Sequence, residues 1–312
     1  MVNPDRRISV KRCGPAGPHI FPARTQVSGL ARAASRSRVR HWLAVCLLWC
    51  LPLILCAAGQ PVRPVVANAW MGISALDFDF RESDDGGTRL NREHGSLPGL
   101  AAGVKVSRRA AFAESGISYY SGDVRYDGQT QSGLPVTTRT DEDIFDGSAL
   151  AGVQFASIRG FGSAVFAGAG YRNWKRDIRS TRSAAGLSET YDWWYGLLGV
   201  KGSYAPSKRM SWTLDLRLVR PINPSVRVKF RNALDDKTLE LGEKTGYRLA
   251  VTWHYSLTGR AGLRISPFYE QWKLGRSSTS SLTQNGTVVG TLYEPRSETR
   301  NRGLTVGLGY TF

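Results

Sequence analysis

The sequence predicts an all-β fold, namely a ten-stranded antiparallel transmembrane β-barrel with up-and-down topology, preceded by an N-terminal signal peptide. Three observations support this prediction. Several of ten predicted segments after residue 60 alternate apolar with polar residues, the connections between the ten are short and long in turn, and the last strand, Leu304–Phe312, is apolar on one face. Alternation with a period of two is typical of a strand with one apolar face.

Residues 1–58 are predicted to be a leader. Trp42–Leu55 is a 14-residue apolar run that follows Arg38 and Arg40 and precedes small residues ending at Ala58. This order is typical of a secretory signal peptide, here residues 39–58. An uncleaved anchor and a lipoprotein are the alternatives. Residues 1–38 are basic without an apolar period, so we expect disorder there, and translation starting near Val39 would omit them.

The composition excludes several classes of protein. All four cysteines precede residue 60, so the barrel domain, residues 59–312, needs no disulfide and no thiolate metal site. The net charge of +17 is concentrated in part before residue 60, where nine Lys and Arg stand against one acidic residue. The remaining basic residues form no nucleic-acid motif, which favours solvation or contact with lipopolysaccharide phosphates.

Ten strands are predicted, and several of them have one apolar face. In 246–257, for example, Tyr247, Leu249 and Val251 alternate with Arg248 and Ala250. The predicted strands are 66–81, 98–108, 111–126, 143–156, 161–177, 190–204, 209–220, 246–257, 262–275 and 303–312.

The connections between these strands alternate in length along the whole chain. Arg109-Ala110, 157–160, 205–208 and 258–261 are short, whereas 82–97, 127–142, 178–189, 221–245 and 276–302 are long and polar. Short turns at one end and long loops at the other are typical of bacterial outer-membrane barrels. In that arrangement both termini lie on the periplasmic side, and strand 303–312 pairs with strand 66–81.

The terminal strand resembles the C-terminal strand of bacterial outer-membrane β-barrels, with apolar residues on one face and a final phenylalanine. The resemblance implies an outer-membrane location and recognition by the barrel-assembly machinery. The signal that it implies consists of Leu304, Val306, Leu308, Tyr310 and Phe312. Tyrosine and tryptophan near strand ends predict aromatic girdles at both membrane interfaces. The residues assigned to these girdles include Trp70, Tyr119, Tyr120, Tyr171, Trp174, Trp193, Trp194, Trp212, Trp253, Tyr255, Tyr269, Trp272 and Tyr310.

A network of opposite charges is predicted to fill the lumen, because ten strands leave little space and unpaired buried charge is costly. A narrow path for ions or small solutes is the alternative. The network is predicted to contain Asp77, Asp79, Lys105, Arg172, Lys201, Asp215, Arg217, Arg248, Arg264 and Glu270, together with Asp146.

The sequence does not favour an enzyme, and neither a catalytic, a cofactor-binding nor a metal site is predicted. Asp77 and Asp79 form an Asp-x-Asp, but the paired His and Asp of the omptin proteases is not matched. Glu93-His94-Gly95-Ser96 resembles the residue types of the lipid A deacylases, since a histidine base can activate a neighbouring serine hydroxyl.

The predicted function is a monomeric surface barrel whose outer loops have a structural, adhesive or ligand-binding role. Asn285-Gly286 predicts a hairpin turn in the longest loop, and residues 226–230 and 238–241 predict a second hairpin. The expected partners are outer-membrane lipid, lipopolysaccharide and the assembly machinery. A narrow porin-like channel and a rim hydrolase acting on lipid A or peptides are the alternative functions.

Overall fold

A computed structural model describes residues 65–129, 133–155, 158–182, 184–231 and 234–312 as an all-β chain. The predicted leader, residues 1–58, lies outside these ranges. The strands are β1 (Val66–Ser83), β2 (Arg89–Arg108), β3 (Ala111–Gln129), β4 (Pro135–Gln154), β5 (Phe161–Ile178), β6 (Leu187–Tyr204), β7 (Met210–Lys229), β8 (Lys237–Glu240), β9 (Gly242–Ser256), β10 (Ala261–Gly275), β11 (Ser280–Gln284), β12 (Thr287–Leu292) and β13 (Arg296–Thr311).

Ten strand positions close into an antiparallel barrel, as predicted. Each strand pairs with the next in sequence, β6 pairs with β7, and β13 pairs with both β10 and β1. The short strand β8 pairs with the end of β7 nearer its C-terminus, and β9 pairs with the part of β7 nearer its N-terminus, so β8 and β9 together form one strand position of the barrel wall. Closure of β13 on β1 is the predicted seam, with Trp70 opposite Gly309 and Ser74 opposite Thr305.

Glycine allows the two seam strands to approach closely near the middle of the seam. Gly72 lies opposite Gly307, and a Cβ atom added to Gly72 would lie only 2.7 Å from the Cα of Gly307. Further along the same pair, the terminal Phe312 donates its backbone N–H to the carbonyl oxygen of Ala67 at 3.0 Å. The last strand is therefore paired to its end.

The short turns agree with prediction, but most of the long connections are shorter than predicted. β2 starts at Arg89, β4 at Pro135 and β6 at Leu187, so the strands continue well into the predicted loops. We call the end with the short turns and the termini the turn end, and the opposite end the loop end. The Asn285-Gly286 hairpin is confirmed as β11–β12, and the pairing of residues 226–230 with 238–241 is confirmed as β7–β8.

Side chains alternate between the two faces along the strands, with a shift of one residue at Asn223 in β7, whereas the polarity of the two faces reverses along the barrel axis. In β1 near the turn end, Ile73 faces outward and Ser74 inward. Four residues further on, Asp77 faces outward and Phe78 is fully buried inside. The wall around the turn-end half therefore bears an apolar band on its outside. Exposed members of this band are Met71, Ile73, Leu100, Val104, Ile117, Val165, Leu198, Val200, Leu214, Leu216, Leu218, Leu249, Leu304 and Leu308.

Aromatic rings border the apolar band at both of its edges. Tyr171 and Trp194 lie 5.3 Å apart between ring centroids at the edge toward the loop end. Phe161 and Tyr204 stack at 4.3 Å at the opposite edge. The girdle prediction is wrong for five residues that face the lumen, where aromatic rings pack inside the barrel instead of bordering the band; these are Trp70, Tyr120, Trp174, Trp193 and Trp272.

Within the described ranges, no helix is both long and apolar enough to cross a membrane.

Candidate functional site

Most of the predicted lumenal charges face the lumen. The residues on the inner face are Lys105, Asp146, Arg172, Lys201, Asp215, Arg217, Arg248, Arg264 and Glu270. The assignment of Asp77 and Asp79 to the lumen is wrong. Both carboxylates lie on the outer wall beyond the apolar band, where Asp79 pairs with Arg81 and Arg92. Their alternating neighbours Leu76, Phe78 and Phe80 face inward instead, because the interior at that level is packed with apolar side chains.

Glu270 is the centre of an ion-pair network at mid-barrel. Its carboxylate accepts hydrogen bonds from Arg172 at 3.0 Å, Arg248 at 2.9 Å and the amide of Asn301 at 2.9 Å. Asp146 lies 3.6 Å from the same Arg172 guanidinium. Three cationic or amide donors on one buried carboxylate satisfy its oxygens, which is the condition for a stable buried ion pair.

A second network lies nearer the turn end, around Glu114 and Asp215. Lys201 contacts Glu114 and lies 3.5 Å from Asp215, and Arg217 binds Asp215 through two hydrogen bonds of 2.7 and 2.8 Å. Lys105 lies 3.6 Å from Glu114. These groups and the Glu270 network line a cavity of about 390 Å³.

Toward the loop end, side chains fill the lumen around Arg176, which is fully buried. Its guanidinium donates to Glu82 at 3.1 Å, Glu93 at 2.7 Å and Glu189 at 2.8 Å. It also donates to the hydroxyl of Tyr191 at 3.0 Å. We call this group the Arg176 cluster; it consists of Arg176, Glu82, Glu93, Glu142, Glu189, Tyr191 and Glu294.

Aromatic rings complete the packing around the Arg176 cluster. The guanidinium lies 4.4 Å from the centroid of Phe80, and the ring of Trp174 stacks on Tyr191 at 4.7 Å. Trp174 also donates its indole N–H to Glu142 at 2.5 Å. A cation on aromatic faces in a desolvated site is held by the ring quadrupoles as well as by its carboxylates. The cluster thus forms a plug that joins β1, β2, β4, β5 and β6 across the barrel.

The cluster contains more carboxyl groups than one guanidinium can neutralise. Glu142 lies beyond the apolar band, and burial together with the neighbouring Glu93 raises the pKa of its carboxyl well above the ordinary value. Glu82, Glu189 and Glu294 each offer an oxygen within 4.8 Å of the others, a spacing that could hold a metal ion. Arg176 already donates to two of these three carboxyls, which lowers the demand for a metal cation.

The sequence analysis does not predict the Arg176 cluster, because Glu82, Glu93, Glu142 and Glu189 all fall within the predicted long connections. The available signal was alternation continuing past the predicted strand ends. In β4, for example, Thr140, Glu142 and Ile144 are all buried on the inward face. Polar residues at these positions look like a solvated loop in the sequence, because the residues that pair with them lie on other strands.

His94 lies on the outer face of β2 rather than in a loop. Its Nε2 is 3.4 Å from a carboxylate oxygen of Asp127 on β3, an acidic partner that the sequence did not suggest. Ser96 lies on the same outward face, opposite Asp77 on β1. The structure therefore brings a histidine, an aspartate and a serine to one side of the wall, although the hydrogen bonds described for His94 do not include Ser96.

The two loop-end hairpins are joined by Asp235. Its carboxylate accepts the backbone N–H groups of Asn285 at 3.2 Å and Gly286 at 3.0 Å. Asn285 has φ 49° and Gly286 φ 77°, as a tight hairpin turn of the favoured kind requires. The side chain of Thr283 and the N–H of Gly286 lower the pKa of Asp235. One carboxylate therefore binds the tip of the β11–β12 hairpin to the connection that follows β7.

Replacing Asp235 with alanine is expected to release the hairpin tip while the barrel remains folded. The pKa of Asp235 is lowered from its ordinary value of 3.8. The contact is therefore fully formed at pH values above 3.8, and it is lost as the pH falls through the lowered pKa of the folded state. Limited proteolysis should show faster cleavage between residues 280 and 292 in Asp235→Ala than in the parent protein. Asp236→Ala, at the exposed neighbouring position, is the matched control, and equal cleavage in both variants would contradict the assigned contact.

Comparison with known proteins finds similarity only at the level of the fold. No protein-family model matches the chain, and no curated protein does. The outer membrane protease OmpT from Escherichia coli is similar in structure, with a TM-score of 0.61, 13% identity and coverage of 82% of this chain and 99% of that chain. The outer membrane protein OprG from Pseudomonas aeruginosa has a TM-score of 0.42 and 14% identity, covering 81% and 98%. Neisserial surface protein A has a TM-score of 0.32 and 9% identity, covering 81% and 100%.

The similarity to OmpT extends over most of both chains and shows a shared fold, namely an antiparallel barrel of the outer-membrane type. The apolar band, its aromatic borders and the closed seam agree with that architecture. The chain therefore has the fold of the small outer-membrane β-barrels, in its closed ten-stranded antiparallel form.

Proposed function

We propose that this chain is a monomeric outer-membrane barrel with both termini in the periplasm, and that it is neither a catalyst nor a through-channel. Its role is structural, adhesive or ligand-binding and is carried by the loop end. The observation that carries the proposal is the Arg176 cluster, which fills the lumen beneath the loops. A packed lumen supports a rigid platform, and binding residues are most often found on loops held by a rigid scaffold.

The loop end also has structure of its own. β8 extends the wall beside β7, and the β11–β12 hairpin is joined to the preceding loop through Asp235. Leu282 and Leu292 of this hairpin are fully buried, so it packs as part of the folded domain. A pre-ordered surface of this kind loses less conformational entropy when it binds a partner than a free loop would.

The outer wall beyond the apolar band supports lipid and lipopolysaccharide as the proposed partners. Arg300 and Arg302 on β13 and Arg81 on β1 face outward just beyond the last apolar residues of the band, at the level where lipid phosphates would lie. Guanidinium groups bind phosphate oxygens strongly. The outward apolar face of β13, from Leu304 to Phe312, supports recognition by the barrel-assembly machinery.

A conductance measurement tests the proposal against the channel alternative. In planar bilayers, the purified full-length barrel is expected to give single-channel conductance indistinguishable from protein-free membranes, because the Arg176 cluster and its aromatic neighbours fill the cross-section. A general porin in the same bilayer is the positive control. Reproducible conductance steps that depend on the dose of this protein would overturn the non-conducting part of the proposal and favour a solute path.

A hydrolase at the outer wall is the second candidate, and one observation favours it. His94 is oriented by Asp127 at 3.4 Å, and Ser96 shares its outward face at the edge of the apolar band. A histidine base beside a serine can activate the hydroxyl for acyl transfer. If the protein hydrolyses lipid or peptide substrates, His94→Ala and Ser96→Ala should each abolish the activity, and unchanged activity would remove this candidate.

A further inference from the structure

Arg264 differs from the other lumenal cations in having no carboxylate partner. Across the described ranges, the other arginines and lysines of the lumen each lie within 4.0 Å of an Asp or Glu oxygen. The cavity at the turn end is lined by five basic side chains and four acidic ones. Its basic members are Lys105, Lys201, Arg217, Arg248 and Arg264, and its acidic members are Glu114, Asp146, Asp215 and Glu270.

The Arg264 guanidinium is held in place by neutral groups. Its carbon lies 4.5 Å from the centroid of the Trp70 ring, and Nη2 donates to the hydroxyl of Thr252 at 3.3 Å. Its Nε is buried and donates to none of the groups that the structure describes. A ring face and a hydroxyl orient the guanidinium, but they do not neutralise its charge.

Hydroxyl and imidazole groups surround Arg264 on the cavity wall. His254 lies opposite Arg264 on the neighbouring strand, and Thr252 hydrogen-bonds Ser266 at 2.9 Å. Glycine leaves space for the larger rings: a Cβ at Gly262 would overlap the His254 imidazole, and one at Gly103 would lie 2.7 Å from Trp70 Nε1. The groups that contact Arg264 directly are therefore a hydroxyl and a ring, whereas the carboxylates of Glu114 and Asp215 act on its charge only from beyond ion-pair distance.

A partly desolvated guanidinium without a counter-charge is energetically unfavourable, because burial of a charge is tolerated mainly when it is paired. Carboxylate and phosphate oxygens match the planar donor fork of arginine better than a spherical ion does. Basic side chains outnumber acidic ones in the cavity wall, and Arg172 pairs with two of those acidic groups from outside it, so the cavity favours an anion over a cation. Both the charge and the donor geometry thus call for one small oxyanion.

We propose that the turn-end cavity binds a small oxyanion, a carboxylate or a phosphate, through the guanidinium of Arg264. The neighbouring hydroxyls and His254 complete the hydrogen bonding, and Trp70 holds the guanidinium from one side. The ligand enters from the compartment that the termini face. The site is separate from the loop end, so it does not depend on the surface role proposed above.

Titration calorimetry and tryptophan fluorescence of the folded barrel in detergent test this site. Inorganic phosphate and acetate are titrated in separate arms at constant ionic strength, with chloride as the reference anion. Saturable binding of at least one oxyanion is expected, and the stronger arm identifies the preferred class. Arg264→Gln should weaken that binding at least tenfold, whereas Arg220→Gln, which removes an exposed arginine that does not line the cavity, should leave it unchanged. Absence of saturable binding to the parent protein, or equal binding by Arg264→Gln, would overturn the proposal.

Two further variants keep the test decisive if Arg264→Gln does not fold. Arg264→Lys keeps the charge but loses the planar fork, and it should bind the oxyanion more weakly than the parent protein. Trp70→Phe removes the indole beside the guanidinium, and the fluorescence change on binding should then be smaller, with Trp272 still in the cavity wall, while calorimetric binding persists. Folding of each variant is checked by its electrophoretic mobility before and after boiling. A fluorescence change that is undiminished in Trp70→Phe would place the anion away from Arg264.

Discussion

Replacement of Arg176 by methionine is expected to destabilise the folded barrel by about 3–5 kcal/mol, the cost of removing one partner from a buried ion pair. Methionine fills much of the same volume, so the loss comes mainly from charge and hydrogen bonding. Glu82, Glu93 and Glu189 would lose the cation that binds all three of them at 2.7–3.1 Å. Arg176→Lys keeps the positive charge but loses the planar, forked arrangement of guanidinium donors, so its stability should lie between those of the parent protein and the methionine variant.

The effect of Arg176→Met should depend on pH in a defined direction. The pKa of Glu142 is raised by burial and by Glu93. A group whose folded pKa is raised contributes stability that is present below its unfolded value, here 4.5, and is lost as the pH rises through the folded value. Removing the nearby guanidinium leaves the buried carboxyls without their cation and strengthens this dependence. Acidification from neutral pH should therefore restore part of the stability of the variant.

Urea unfolding in detergent or lipid vesicles at pH 7 and pH 5, followed by tryptophan fluorescence, would measure both effects. Arg302→Met is the matched control, because Arg302 is exposed on the outer wall, and a change within about 0.5 kcal/mol is expected for such a surface position. If Arg176→Met is as stable as the control at pH 7, or loses stability on acidification, the assignment of Arg176 as the central cation of the plug is wrong.

The second large effect is expected on the outer wall. Ile73, of which 69% is exposed, lies within the apolar band, and its replacement by arginine should destabilise the barrel in a bilayer by about 2–4 kcal/mol. Ser96→Arg is the matched control, because Ser96 also faces outward but lies beyond the band, opposite Asp77. There the new guanidinium would reach water or lipid headgroups, and the expected change is close to zero.

Folding into vesicles that contain phospholipid and lipopolysaccharide, measured as a function of urea concentration, would compare the two arginine variants. A large loss for Ile73→Arg with little change for Ser96→Arg would locate the edge of the hydrocarbon region between these positions. Equal and small effects for both would mean that no hydrocarbon contacts this band, and the transmembrane assignment would fail.

The sequence by itself determined the local features of this protein. In several strands alternation identified the residues that share a face, and Asn285-Gly286 identified a hairpin, since both positions need a positive φ. The order of short and long connections predicted the strand pairing, and the terminal strand predicted closure onto β1. These features depend on neighbours in sequence or on the connectivity of an up-and-down sheet, so they can be read without a structure.

Only the tertiary structure decided which face of a strand is inside at each height and which charges pair. Asp77 and Phe78 alternate as predicted, but the inward face of β1 is polar at the level of the apolar band and apolar beyond that level. The outward face changes in the opposite sense, because beyond the band it no longer contacts lipid and need not be apolar. Arg176 and Glu82 are 94 residues apart and meet across the lumen. Alternation shows only that two residues share a face of one strand. Whether such a residue is buried, and which charge it pairs with, depends on the side chains of other strands that face it once the barrel has closed. Arg264 is left without a carboxylate for the same reason.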